Sequence, residues 1–245
     1  MRKIIKNTLF VILFSVLILF AVYFAYLHFY ASNDKTLSGN WTASLDMTEQ
    51  AAVTALGWLQ DIEAVSVSMQ DMESHMQGLT VDLRLTMTQS SRSEGTFVSS
   101  VVPESYAACS QAAYEAFAAV FRELVAERLR MAGYTGGTDE DDIEALVAET
   151  FGMSTTAYLM SSVPSLLPPL EELQAQYDCS GTYETAEGIL TRQFDSGQLV
   201  RTKAERYIRQ DSTLILSGAV DSAYYGYFAD HYPVIYTLQQ PQTEQ

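Results

Sequence analysis

Two regions in which apolar and polar residues alternate flank a region of helical periodicity, and this order is the feature that most constrains the fold. The clearest alternation runs from Leu79 to Thr88, where every second residue is apolar, as expected of a strand with one buried face. The serine-rich segment 90–95 and the residues that follow it at 96–98 predict a hairpin. Residues 39–46 alternate in the same way, and the apolar spacing after Thr48 predicts a helix between these strands.

The pattern changes after residue 102, and residues 103–178 are predicted to be an insertion made mainly of helices. Its first helix is rich in alanine and ends at Gly133. A second helix is predicted to start in the capping-box-like segment Thr138–Asp141, and another is predicted over Leu170–Tyr177. Prolines interrupt the stretch before Leu170, and residues 64–77 fit neither a helical nor a strand pattern.

Alternation of period two returns after the insertion. The predicted strands cover 181–186, 189–194, 198–209, 213–217 and 234–238. Segregated runs of strands and helices favour an α+β fold. An isolated hairpin is marginal in water. We therefore predict one antiparallel sheet or partial barrel, built from residues 39–102 and 179–238, within a single domain over residues 39–240.

Short motifs in both parts of the predicted sheet resemble those of a known fold. They are Leu37-x-Gly39-x-Trp41 with Asp46, the turn–strand units at Glu94–Phe97 and Ser180–Tyr183, and the meander at Asp211–Leu216. On these motifs the chain resembles membrane-anchored lipocalin-like proteins of Gram-positive bacteria, over residues 37–102 and 180–238. The resemblance implies a lipocalin-like barrel and no particular activity, because fold does not determine function. The helical insertion departs from the lipocalin pattern.

The N-terminal segment 8–30 contains no charged residue. As a helix, its 23 residues would reach roughly 34 Å, enough to cross the hydrocarbon core of a bilayer. A cleaved signal peptide is the alternative, but its apolar region is shorter and ends in small residues, whereas Phe29 stands near the end here. Three basic residues precede the segment, which places the N-terminus in the cytoplasm. We predict a single-pass anchor within residues 1–30, a spacer at 31–38 and an extracytoplasmic domain at the cell membrane.

The charge of the exported part limits the partners that it can bind. All 30 acidic residues lie beyond residue 30, with 11 of the 14 basic ones. This excess repels polyanions, so nucleic acid is not expected as a partner. The acidic run 138–142 lacks the spacing of a calcium loop and suits the start of a helix. The three histidines are scattered, and we predict no metal and no cofactor.

Two cysteines, Cys109 and Cys179, could form a disulfide outside the cytoplasm. The bond would close a loop of about 70 residues and add roughly 4 kcal/mol of stability on the chain-entropy model. The alternative is a pair of buried thiols that only pack.

An aromatic cluster near the C-terminus is the one feature that points to a binding site. Its members are Tyr224, Tyr225, Tyr227, Phe228 and Tyr232. Aromatic side chains are enriched in interfaces and ligand pockets, although packing beneath the last strand is the competing interpretation. Carboxylate pairs such as Asp46 with Asp61 and Glu63, or Glu171 with Glu172, are interpreted as surface charge. No motif for a serine nucleophile or a phosphate loop occurs.

The sequence therefore favours an extracytoplasmic binding module without enzymatic activity. Its partner would be a small apolar ligand held by the aromatic cluster, or another protein. Two alternatives are left open, namely a cell-envelope enzyme that uses paired carboxylates and a structural or assembly subunit of a membrane complex.

Overall fold

The protein is described by a computed structural model that covers residues 17–20, 22–23, 36–60, 67–195, 202–219 and 232–239. Eight strands of the described chain form a closed antiparallel barrel in which each strand pairs with the next and β8 pairs with β1. The strands are β1 Gly39–Asp46, β2 Thr80–Gln89, β3 Glu94–Val101, β4 Cys179–Ala186, β5 Ile189–Phe194, β6 Thr202–Gln210, β7 Thr213–Ala219 and β8 Val234–Leu238.

Six described helices occupy the two long connections of the barrel. They are α1 Thr48–Gln60 and α2 Met69–His75 between β1 and β2, and α3 Pro103–Met131, α4 Glu140–Phe151, α5 Thr155–Ser162 and α6 Leu170–Tyr177 between β3 and β4. The prediction of an antiparallel sheet interrupted by a helical insertion is confirmed, and the sheet closes fully.

The strand order gives the barrel two different ends. At the hairpin end, tight turns join β2 to β3, β4 to β5 and β6 to β7, and the chain enters β1. At the helical end, both helical connections begin and finish. β5 and β7 also end, and β6 and β8 begin, at the helical end. The two ends therefore differ in what each can present to a partner.

The helical connections pack together as a cap over the helical end. The cap core joins residues of α1, α2, α3 and α5 to the inward side chains of Leu45, Val81 and Val101. Trp58 meets Phe117 edge to face, with ring centroids 5.8 Å apart. Such burial of apolar and aromatic surface is what stabilises the cap on the barrel.

Local capping interactions define helix starts that the sequence left open or, for α4, placed one residue early. The cap of α4 is Asp139 and not Thr138, because Asp139 Oδ1 accepts a hydrogen bond from Asp142 N at 2.9 Å. Residues 64–77, which fit neither pattern in the sequence, include α2, and Ser68 caps this helix together with Asp71. The stretch before Leu170 that prolines interrupt contains α5, whose N-cap is Ser154. Each of these helix starts has a side-chain cap that accepts hydrogen bonds from free amide groups of the first turn.

None of the described helices is long and apolar enough to cross a membrane. The predicted anchor segment is described only at 17–20 and 22–23, which are helical. Its remaining residues lie outside the described part of the chain.

Candidate functional site

The barrel interior contains a group of charged side chains on β5 and β6. Alternation along these strands turns Arg192, Lys203 and Glu205 inward, and all three are buried. In the strand register Arg192 lies directly opposite Lys203, and Glu205 follows two residues later on the same face. Two like charges opposite one another repel, so the carboxylate is needed beside them.

Glu205 is the centre of this ionic cluster and is 1 % exposed. Arg192 donates from Nε and Nη2 to Glu205 Oε2, at 2.7 and 2.6 Å. Lys203 Nζ lies 3.1 Å from Glu205 Oε1, and the Tyr232 hydroxyl donates to the same oxygen. Both carboxylate oxygens therefore accept charge-assisted or hydroxyl hydrogen bonds inside the barrel.

Aromatic rings fix the two cations of the cluster. The Arg192 guanidinium lies 5.4 Å from the ring centroid of Phe97 and 5.5 Å from that of Phe194. Lys203 Nζ lies 4.7 Å from the ring centroid of Tyr232. Cation–π contacts of this kind strengthen when water is excluded, so the rings stabilise both charges in place.

The protonation of the cluster follows from burial and mutual charge. Burial alone would raise the pKa of Glu205, but the charges of Arg192 and Lys203 outweigh it and lower that pKa. Burial lowers the pKa of Lys203, against the opposing effect of Glu205. Burial and the adjacent carboxylate both raise the pKa of Tyr232. The tyrosine therefore stays protonated and donates, and the carboxylate stays charged and accepts.

A cavity of about 40 Å³ lies beside the cluster, within the helical end of the barrel. Its lining combines the four cluster residues with Leu83, Ser99, Tyr177, Cys179, Phe194, Leu216, Val234 and Tyr236. That volume holds about two or three water molecules. It is well below the ~300 Å³ at which pockets for drug-sized ligands begin. The space fits a single small polar group between apolar walls.

The aromatic cluster predicted from the sequence is only partly described. Tyr232 contacts Glu205 and Lys203 as part of the ionic cluster, whereas Tyr224, Tyr225, Tyr227 and Phe228 lie outside the described residues. β7 ends and β8 begins at the helical end of the barrel, which holds the cavity.

Arg192, Lys203 and Glu205 were not identified from the sequence. Their alternation with their neighbours along two predicted strands was available as a signal, but charged residues in such strands usually face solvent. Asp61 and Glu63 lie outside the described residues, and the other carboxylates considered above do not join a site. Asp46 accepts a hydrogen bond from Thr48 N at 2.9 Å, and Glu171 and Glu172 lie in the first turn of α6.

Metal-binding side chains do not cluster in the described residues, where no group of three or more His, Cys, Asp or Glu could hold an ion. The acidic run at 139–142 starts α4. His75 contacts Asp71 O through Nδ1 at 2.9 Å and Glu123 through Nε2 at 3.7 Å.

The disulfide considered for Cys109 and Cys179 is not formed in the structure, where both residues are free thiols. Cys109 belongs to the cap core, whereas Cys179 lines the barrel cavity. Each thiol therefore packs in a different environment. Burial raises the pKa of Cys109 to about 11, with Asp46 adding to the effect. Burial also raises the pKa of Cys179.

Both thiols should therefore react slowly with an aromatic disulfide reagent in the folded protein. At pH 8, the thiolate fraction of Cys109 should be about a hundredfold below that of an unperturbed thiol, and burial blocks access as well. Absorbance at fixed intervals would give the rate, with an exposed Ser91→Cys variant as the fast control. Fast reaction of both thiols in the native state would contradict their burial. If no thiol reacted even in denaturant, the two cysteines would be joined in a disulfide.

Comparison of the chain with protein-family models, with curated proteins and with solved structures gives no match.

Proposed function

We propose that this chain is a membrane-anchored binding module whose barrel interior receives the anionic group of a small ligand. The observation that carries the proposal is the ionic cluster beside the cavity. Among the described residues that line the cavity, two cations, Arg192 and Lys203, accompany one carboxylate, Glu205.

The cost of burying charge supports a role beyond packing. Taking three charged groups out of water costs several kcal/mol per ion before their attraction is counted. Apolar side chains of similar size would stabilise a barrel core as well or better. A ligand carboxylate in the cavity would add a second negative charge beside the two cations. Charge-assisted hydrogen bonds from both would then orient it.

The rest of the cavity lining indicates what the remainder of the ligand is like. Leu83, Leu216 and Val234 present apolar walls next to the cluster. A small closed barrel of eight strands has room for one small ligand at most. The carboxylate end of a short apolar ligand therefore fits better than a cation or a large lipid. The lipocalin-like resemblance and the uncharged segment 8–30 support a ligand-binding barrel tethered to a membrane.

A protein partner is the second candidate, and it rests on a different observation. Large apolar side chains are exposed on the cap, with Met131 the most exposed at 64 %. The others on the cap are Val53, Tyr134, Phe151, Met153 and Met160. Apolar surface of this kind marks interaction sites in soluble domains when it is contiguous.

Butyrate should stabilise the full-length protein in detergent more than butylammonium does at equal concentration and ionic strength. Ligand binding to the native state alone raises the midpoint of thermal unfolding. We expect a rise of a few degrees at about ten times the dissociation constant. Differential scanning calorimetry over a concentration series would measure it.

Two variants make this test specific to the cavity. Lys203→Met should remove the difference between butyrate and butylammonium, because it removes one cation next to the cavity. Arg84→Met is the matched control, since Arg84 is exposed on the outer face of β2 and should leave the difference unchanged. Equal stabilisation by the two ions, or a difference that persists in Lys203→Met, would argue against anion binding in the barrel.

A further inference from the structure

The chain enters the barrel at the hairpin end, and its last residues before β1 are fixed there. Leu37 is 4 % exposed and packs in the barrel core. Its carbonyl accepts a hydrogen bond from Trp41 Nε1 at 2.8 Å. Gln89 N donates to Ser38 Oγ at 2.8 Å, which ties the same segment to the last residue of β2, next to the turn that follows. The segment that leads to the N-terminus therefore leaves the barrel beside this turn.

Residues 31–35, the tether between the uncharged segment and the described chain before the barrel, are few. The uncharged segment ends at Tyr30, and the described chain resumes at Thr36. The five intervening residues reach at most about 18 Å when fully extended. A ten-residue strand such as β2 runs about 34 Å, which gives a barrel roughly 25 Å tall at the usual strand tilt. The cap adds at least one helix diameter of about 10 Å.

These lengths constrain how the domain can sit on a bilayer. For the cap to touch the membrane, the tether would have to run back along the whole barrel and past the cap. That path is about twice as long as the fully extended tether. The hairpin end is the part of the barrel that the tether brings to the surface.

The distribution of charge favours the same orientation independently. The two helical connections, 47–79 and 102–178, contain 18 of the 30 acidic residues and 3 of the 14 basic residues. The cap therefore contributes most of the negative charge beyond residue 30. A leaflet that contains anionic lipids has a negative surface potential. It repels such a cap when the cap lies within a Debye length of the lipid surface.

We propose that the hairpin end of the barrel faces the lipid headgroups, and that the cap and the cavity beneath it face away from the bilayer. This orientation rests on the proposed membrane anchor. The helical end, with its cap, then faces the aqueous phase. A ligand would reach the cavity from that phase and would not be extracted from the bilayer.

Two positions at opposite ends of one strand test the orientation. Gln77 precedes β2 at the helical end, and Ser91 follows β2 at the hairpin end; both are exposed. Gln77→Cys and Ser91→Cys are made separately in full-length protein that carries Cys109→Ala and Cys179→Ala, and each is labelled with one fluorophore. The protein is reconstituted into vesicles of phosphatidylcholine and phosphatidylglycerol that contain a lipid with a nitroxide on its headgroup.

We expect strong quenching of the label at Ser91→Cys and little at Gln77→Cys, relative to vesicles without nitroxide. Fifteen Gly/Ser residues inserted after Asn33 lengthen the tether beyond the barrel and should reduce the difference between the two labels. Equal quenching, or stronger quenching at Gln77→Cys, overturns the orientation while leaving the anchor intact. Failure of the chain to float with the vesicles overturns the anchor, and with it this proposal.

Discussion

Replacing Glu205 with glutamine should lower the free energy of unfolding by about 3–5 kcal/mol, because it leaves two buried cations without their shared carboxylate. Glu205 accepts hydrogen bonds or ion pairs from Arg192, Lys203 and Tyr232 while it is almost fully buried. Glutamine keeps the size of the side chain but not its charge. Urea-induced unfolding of the full-length protein in detergent, followed by circular dichroism, would measure the change.

A variant without any of the three charges separates stability from function. In Arg192→Met/Lys203→Met/Glu205→Leu no charge of the cluster is left buried without a partner, so its stability should return to within about 1–2 kcal/mol of the original protein or exceed it. The same variant should lose the preference for butyrate over butylammonium. An unchanged urea midpoint for Glu205→Gln would show that the cluster is hydrated, contrary to its burial.

The lowered pKa of Glu205 also makes this contribution depend on pH. The folded protein holds the carboxylate charged to lower pH than the unfolded chain does. Its stabilising effect is therefore fully present above the unfolded pKa, near 4.5, and declines as the pH falls through the folded pKa. In Glu205→Gln this part of the acid-induced loss of stability should be missing.

The fold could be predicted from the sequence where one face of an element is buried and the other exposed. The alternation from Leu79 to Thr88 corresponds to β2, whose residues alternate between buried and exposed positions along its length. The alanine-rich stretch that ends at Gly133 corresponds to α3, and Gly133 takes the positive φ of 78° expected after a helix. These patterns are local and need no knowledge of distant contacts.

Closure of the sheet and the ionic cluster could not be predicted in the same way. Closure depends on pairing between β1 and β8, where Trp41 lies opposite Leu238 almost two hundred residues later in the chain. The cluster depends on which face of β5 and β6 turns inward, and that follows only from the closed barrel. A charged residue in an isolated strand favours the solvent face, so Arg192 and Glu205 were not distinguished from surface charges.

Replacing Trp41 with alanine should lower the free energy of unfolding by about 3–5 kcal/mol, the usual cost of deleting a buried aromatic side chain. Trp41 is fully buried in the barrel core. Its indole N–H donates to the carbonyl of Leu37, and the Arg209 guanidinium lies 4.7 Å from its ring centroid. The substitution therefore removes a large apolar group, a buried hydrogen bond and a cation–π contact together.

The position of Trp41 makes the effect larger than its volume alone suggests. It lies on β1 at the seam with β8, where the described register pairs Trp41 with Leu238 and Thr42 with Thr237. Arg209 Nε and Nη1 are buried without hydrogen-bond partners among the described residues, so the ring is one contact that compensates that guanidinium, beside the charge of Asp211. Without the indole, the guanidinium loses this contact and the seam is weakened at the same place, the hairpin end.

Urea-induced unfolding of Trp41→Ala, compared with Trp58→Ala, would separate barrel closure from general aromatic burial. Trp58 is only partly buried and packs in the cap core, so its removal should cost less and leave the barrel closed. Amide hydrogen exchange should show faster exchange in β1 and β8 for Trp41→Ala alone. Equal losses for the two variants, with β1 and β8 still protected, would mean that the seam is held by backbone pairing and not by the indole.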